Sequence, residues 1–175
     1  MVRARAKALF SFPDPVNDLA ARVVAGGVVL LSVLAIVLGE QWLLLAIACG
    51  FWARALTGPS LSPLGQLATR VVAPRLGPPR PVPGPPKRFA QAMGVAFSTA
   101  SAVLWFGFGL HVLAWAVLGA LVVAASLEAF AGYCLGCRIF GLLMKWGVIP
   151  ESVCESCADL SLRHPELAGE PRPTV

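Results

Sequence analysis

The chain has 175 residues, enough for one domain, and 57% of them are apolar while only 13% are charged. Typical globular domains carry about a quarter charged residues, so a water-facing surface cannot be built here and lipid must be the solvent for much of the protein. The net charge of +5 raises nucleic acid as a partner, but a membrane accounts for the placement of the basic residues without one.

The first 22 residues read as a basic arm and helix start. Arg3, Arg5 and Lys7 suit an anionic bilayer face, and Asp14 followed by Pro15 predicts a helix N-terminus. Val23 to Leu38 is apolar or small throughout except Ser32, approaching the roughly 20 residues that cross a bilayer. No small-residue cleavage site precedes Gly39-Glu40-Gln41 and a second apolar run begins at once, so an uncleaved span is expected rather than a signal peptide. Trp42 to Leu56 is the second span of this hairpin (residues 23–56), anchored by Trp42 and carrying Arg54 near its far end. Cys49, mid-span, is expected to pack as a small apolar residue.

Residues 57–88 change character. Ser62-Pro63 predicts the start of a short amphipathic helix in the membrane surface, with Leu64, Leu67, Val71 and Val72 at helical spacing. Pro74 through Pro86 then predicts an extended polyproline run, a stiff linker or a docking site for an aromatic groove. Residues 89–131 form a second hairpin. Its third span, Phe89 to Phe108, turns at Gly107 and Gly109; its fourth runs from His111 to Ala131. His111 is expected to be a solvated interfacial residue. Glu128 needs a partner at membrane depth; Arg54 is the expected one, and Glu128 is also a candidate proton carrier for Cys134.

The fold class expected is therefore an all-α membrane protein with four transmembrane helices as two hairpins, plus short cytosolic or interfacial helices. All 14 Lys and Arg residues precede the first span, lie at or between the second and third, or follow the fourth, and neither short hairpin turn has one. The positive-inside rule then places both termini and the central loop in the cytosol.

Four of the five cysteines form two C-x-x-C pairs, Cys134/Cys137 and Cys154/Cys157, with sixteen residues between the pairs. They fill residues 132–162, ahead of a tail at 163–175. On the cytosolic side structural disulfides are disfavoured. The spacing also fits a tetrahedral four-cysteine zinc site. Gly132 is expected to interrupt the fourth helix and place Cys134 in the first turn of a new one, striped by Ile139, Phe140, Leu142, Leu143 and Trp146 and ended by Gly147 and Pro150. Pro150-Glu151-Ser152 predicts a further helix with Cys154 in its first turn. Thiols at helix N-termini favour the thiolate, and Arg138 is expected to help Cys134 or Cys137.

Ser62-Pro63-Leu64-Gly65, the Pro-Gly-Pro-Pro-Lys-Arg-Phe-Ala-Gln run at 83–91, and Tyr133-Cys134-Leu135-Gly136-Cys137 leading into Gly141-Leu142-Leu143 carry a resemblance. Through them, Ser60 to Leu160 resembles a family of small bacterial integral membrane proteins known as a domain of unknown function. The resemblance implies a multi-span protein of the bacterial inner membrane with a thioredoxin-like or sulfurtransferase partner. The quinone-linked disulfide-generating membrane proteins are similar in span and cysteine number but present their cysteines to the oxidising side. A redox or sulfur relay through Cys134, Cys137, Cys154 and Cys157 is the leading expectation. A structural zinc or iron site on the same four residues is the alternative, and homo-oligomerisation is open. No catalytic triad, phosphate loop or nucleotide fingerprint is present.

Overall fold

The computed structural model describes residues 12–154 and residue 157. The basic arm at Arg3, Arg5 and Lys7 and the tail containing Arg163 and Arg172 lie outside the described residues. Three helices are long and apolar enough to cross a membrane: α1 (Asp18–Leu38), α5 (Gly84–Phe106) and α6 (His111–Ala131). At 1.5 Å per residue each is about 30 Å long or slightly more. Between α1 and α5 stand α2 (Trp42–Thr57), α3 (Pro63–Leu67), a π-helical turn at Ala68–Val72, and α4 (Ala73–Leu76). A short helix α7 (Leu135–Lys145) and a 3-10 turn at Glu151–Val153 follow α6.

The helices meet around a core of Val28, Ala35, Leu44, Ile47, Phe51, Ala102, Leu118, Leu121 and Ala125. Helix α2 packs on α5, α1 on α6, α5 on α6, and α7 on α5. Outward-facing Val37, Val112 and Phe130 are 74%, 86% and 76% exposed, apolar surface of the kind that lipid covers. Trp42 meets Phe106 at 5.6 Å, and Trp105 meets Trp115 at 4.8 Å. These rings gather at the hairpin-turn end, as an interfacial aromatic belt does.

Helix α2 has 16 residues and is the shorter, apolar member of the set. It therefore spans roughly 24 Å, and the chain turns while still beside α1. The turn is filled by Leu64, whose Cδ1 would stand 2.5 Å from a Cβ placed on Gly27 in the middle of α1. The amphipathic segment is thus docked on α1 through Leu64 and the buried Gly65, Ala68 and Ala73, while Leu67 and Val71 face outward.

Several local expectations change. Helix α1 begins at Asp18 rather than at Asp14, because Val16–Asn17 pairs as a strand (β1) with Pro81–Val82 (β2) and the Asn17 side chain caps Leu19 N–H at 3.1 Å. Asp14 is a cap after all, but of a distant helix: its Oδ1 accepts the Gly84 N–H at 2.9 Å. The extended proline run is shorter than expected. Pro74 lies within α4, and Pro85 and Pro86 form the first turn of α5. A proline there costs nothing, since first-turn N–H groups have no helical partner. The third apolar helix consequently starts five residues before Phe89, and Lys87 and Arg88 belong to it. Cys49 is a free thiol on an exposed face, not a core packing residue. His111 opens α6 and stacks on Trp105 at 4.1 Å.

Candidate thiol site

The expected interruption after the last apolar helix is present. Gly132 adopts φ +66 and its N–H closes back on Glu128 and Leu127 carbonyls, the left-handed cap that ends α6. Arg22 reinforces that end from α1, donating to the Ala129 and Phe130 carbonyls at 3.3 and 3.1 Å, where a cation complements the helix dipole. Cys134 is then the N-cap of α7, and its Sγ accepts the Cys137 backbone N–H at 3.4 Å. The C-x-x-C spacing is thus the spacing of an N-cap to its third helical residue.

Gly136, inside the motif, sets where the pair stands. A Cβ at this position would lie 2.6 Å from the Ala90 backbone, so only glycine lets the first turn of α7 touch α5. One turn further, Phe140 is buried and meets Phe89 edge-on at 5.8 Å. Of the other apolar residues of the expected stripe, Ile139, Leu142 and Trp146 are exposed and Leu143 is half-buried. Arg138 does not serve the thiols; its guanidinium lies over the Tyr133 ring at 5.0 Å.

The charged neighbour is Lys87. It was expected in a loop, but from the first turn of α5 its Nζ donates to Asp18 Oδ1 of α1 and Glu128 Oε1 of α6, each at 2.8 Å. The expected Glu128–Arg54 pair does not form. The buried Arg54 donates instead to Gln91 Oε1 at 3.1 Å and Ser62 Oγ at 3.2 Å and lies over the Phe51 ring. Lys87 takes Glu128 because helix geometry brings it to the level where α1 and α6 converge.

These contacts bias the thiols in opposite directions. A hydrogen bond from the Cys137 thiol holds Cys134 below the ordinary thiol range, helped by the Cys137 N–H and by Lys87 and opposed by burial and Glu128. Cys137 is pushed well up by that same hydrogen bond to Cys134, with burial and the Cys134 charge adding to it. Above the pair, a cavity of about 80 Å³ lies between α1, α5 and α6, with Glu128 and Cys134 at one end and Phe97 and Leu121 further in.

The second pair differs from expectation. Cys154 follows the 3-10 turn at Glu151–Val153, Cys157 is helical, and the rest of the expected helix lies outside the described residues; Cys154 is joined to Cys157 by a disulfide. Among the described residues no group of three or more His, Cys, Asp or Glu is placed to hold a metal. Cys134 and Cys137 are free thiols, and the four cysteines do not form one ligand set in this arrangement.

Fold and site together define an α-helical membrane protein with a thiol pair capping a short helix at the end of its helical bundle. The chain belongs to the family described as a domain of unknown function (DUF4395), which matches residues 16–145. Cys134 and Cys137 fall within that match, and Cys154 and Cys157 lie beyond it. No curated protein and no solved structure matches the chain.

Proposed function

We infer that this is a thiol–disulfide exchange protein of the membrane, a redox or sulfur-relay component whose working groups are Cys134, Cys137, Cys154 and Cys157. The observation that carries this is the Cys134–Cys137 arrangement. One sulfur caps a helix and accepts the Cys137 N–H, so it is the better nucleophile at neutral pH, while its neighbour holds the proton. The Cys134–Cys137 dithiol is the reduced form of one two-electron couple, and the Cys154–Cys157 disulfide is the oxidised form of another. Glu128, lining the cavity beside Cys134, is the acceptor for the Cys134 proton.

Helix α2 completes four spans, its shortness compensated by the docked α3–α4 segment. Every Lys and Arg then lies at or beyond the inner helix ends. By the positive-inside rule both termini are cytoplasmic, in a bacterial inner membrane. The exchange partner is a soluble thioredoxin-like or sulfurtransferase protein at that face.

Equilibration of the purified protein in a series of dithiothreitol redox buffers, followed by alkylation and mass measurement, tests the function. Cys134 and Cys137 should lose and regain two alkylation tags together. Retention of both tags throughout the oxidising range contradicts exchange chemistry at this pair. An impermeant maleimide added outside intact cells should label neither pair, and labelling would overturn the orientation.

A further inference from the structure

The two cysteine pairs stand on one structural unit. Gly136 and Phe140 dock α7 on Ala90 and Phe89 of α5. After α7 the chain reverses at Gly147, with φ +72, and the 3-10 turn returns Val153 to that docking face. Val153 lines the same groove, about 480 Å³, as Phe89 and Phe140. Cys154 comes next and is 3% exposed, while Cys157 is less buried. Cys137 precedes Phe140 by three residues, one helical turn. The dithiol therefore opens the helix against which the disulfide-bearing tail is folded.

We propose that the two pairs exchange electrons within one chain, the Cys134–Cys137 dithiol reducing the Cys154–Cys157 disulfide. The proposal rests on the thiol-exchange function above and adds its internal partner. Cys134 is the attacking sulfur because it is the helix cap that accepts the Cys137 N–H; Cys137, across the same turn, is the resolving one. Cys134 thiolate bonds to Cys157 Sγ, the more accessible sulfur, and the electron pair of the broken S–S bond leaves on Cys154. Cys137, giving up its proton, then bonds to Cys134 Sγ and expels Cys157 as thiolate. Two electrons pass from the first pair to the second, and the Cys137 proton, together with the one that Cys134 gave up to Glu128, ends on Cys154 and Cys157. The tail disulfide is the oxidant, so no other is required. The tail is folded at the level of Phe140, six residues from Cys134, so the attack requires it to shift by somewhat under two turns along α7.

Replacing the resolving sulfur traps the first step. In full-length Cys137→Ser, non-reducing digestion and mass spectrometry should find the Cys134 peptide linked to the Cys157 peptide, with Cys154 alkylatable. Cys134→Ser should give no such link, and Cys137→Ala should repeat the trap if serine disturbs the helix turn. An intact Cys154–Cys157 disulfide in both Cys137 variants, while Cys134 still reacts with 5,5′-dithiobis(2-nitrobenzoate), overturns the internal transfer and leaves the exchange function standing. A Cys134–Cys157 link found only in covalent dimers on non-reducing gels also overturns it. Failure of the exchange function would look different, since Cys134 and Cys137 of wild type would then keep both alkylation tags throughout the oxidising range.

Discussion

Lys87 is the residue on which the α7 end of the bundle closes. Its ammonium is nearly buried and bridges carboxylates from two other helices. Removing one partner of such a cluster strands the rest, at a cost of about 3–5 kcal/mol. Lys87→Met should therefore lower stability by about that amount, with Lys87→Arg losing much less, as read by denaturation in detergent. Lys87 also favours the Cys134 thiolate, so in Lys87→Met the pH at which Cys134 becomes reactive should rise. In wild type, the rate of alkylation against pH should show two separate thiols. Cys134 reacts from a pH below the ordinary thiol midpoint, because its thiolate is stabilised. Cys137 reacts only well above it, because its proton is held by Cys134. Superimposed profiles for the two would contradict the assignment of roles. The need of Glu128 for a partner was legible from its place in an apolar run; the identity of that partner was not. Lys87 sits in a Gly-Pro-Pro-Lys run that reads as a loop until Asp14, a residue distant in sequence, is seen to cap it into a helix.

At the scale of elements, the short helix α7 is held by shape more than by charge. Gly136 permits a backbone contact that any side chain would break. Gly136→Val should push α7 off α5, cost about 1–3 kcal/mol as overpacking does, and slow Cys134 alkylation at neutral pH. Unchanged stability and reactivity would show that the helix is docked by other contacts. The ends of α6 and α7 were readable because glycine at a left-handed cap is a local signal, and Gly132 and Gly147 both adopt it. The start of α1 was not, since it depends on a two-residue pairing with Pro81–Val82. Nor was the state of the second pair. Sequence spacing says which cysteines lie near one another along the chain, but not whether both pairs point to one centre.

For the molecule as a whole, composition alone established lipid as a solvent, and the apolar periods located α1, α5 and α6 closely. The length of α2 is where hydropathy is least informative, because the chain turns after Thr57 and packs α3 and the π-helical turn against Gly27 of α1. That segment is held through Leu64, so Gly27→Leu should displace it and destabilise the protein by about 1–3 kcal/mol, measured as a lowered midpoint in a thermal melt. The resulting architecture is a helical bundle that ends, on one side, in a buried ion cluster, a cavity and a thiol pair. The central claim is that this end performs thiol exchange rather than holding a metal. Anaerobic purification, followed by metal analysis and a thiol count on the same sample, tests it most directly. The account predicts no stoichiometric metal and a Cys134–Cys137 pair that is freely titrated after reduction. One tightly bound zinc or iron per chain, with all four paired cysteines protected until a chelator removes it, would contradict it.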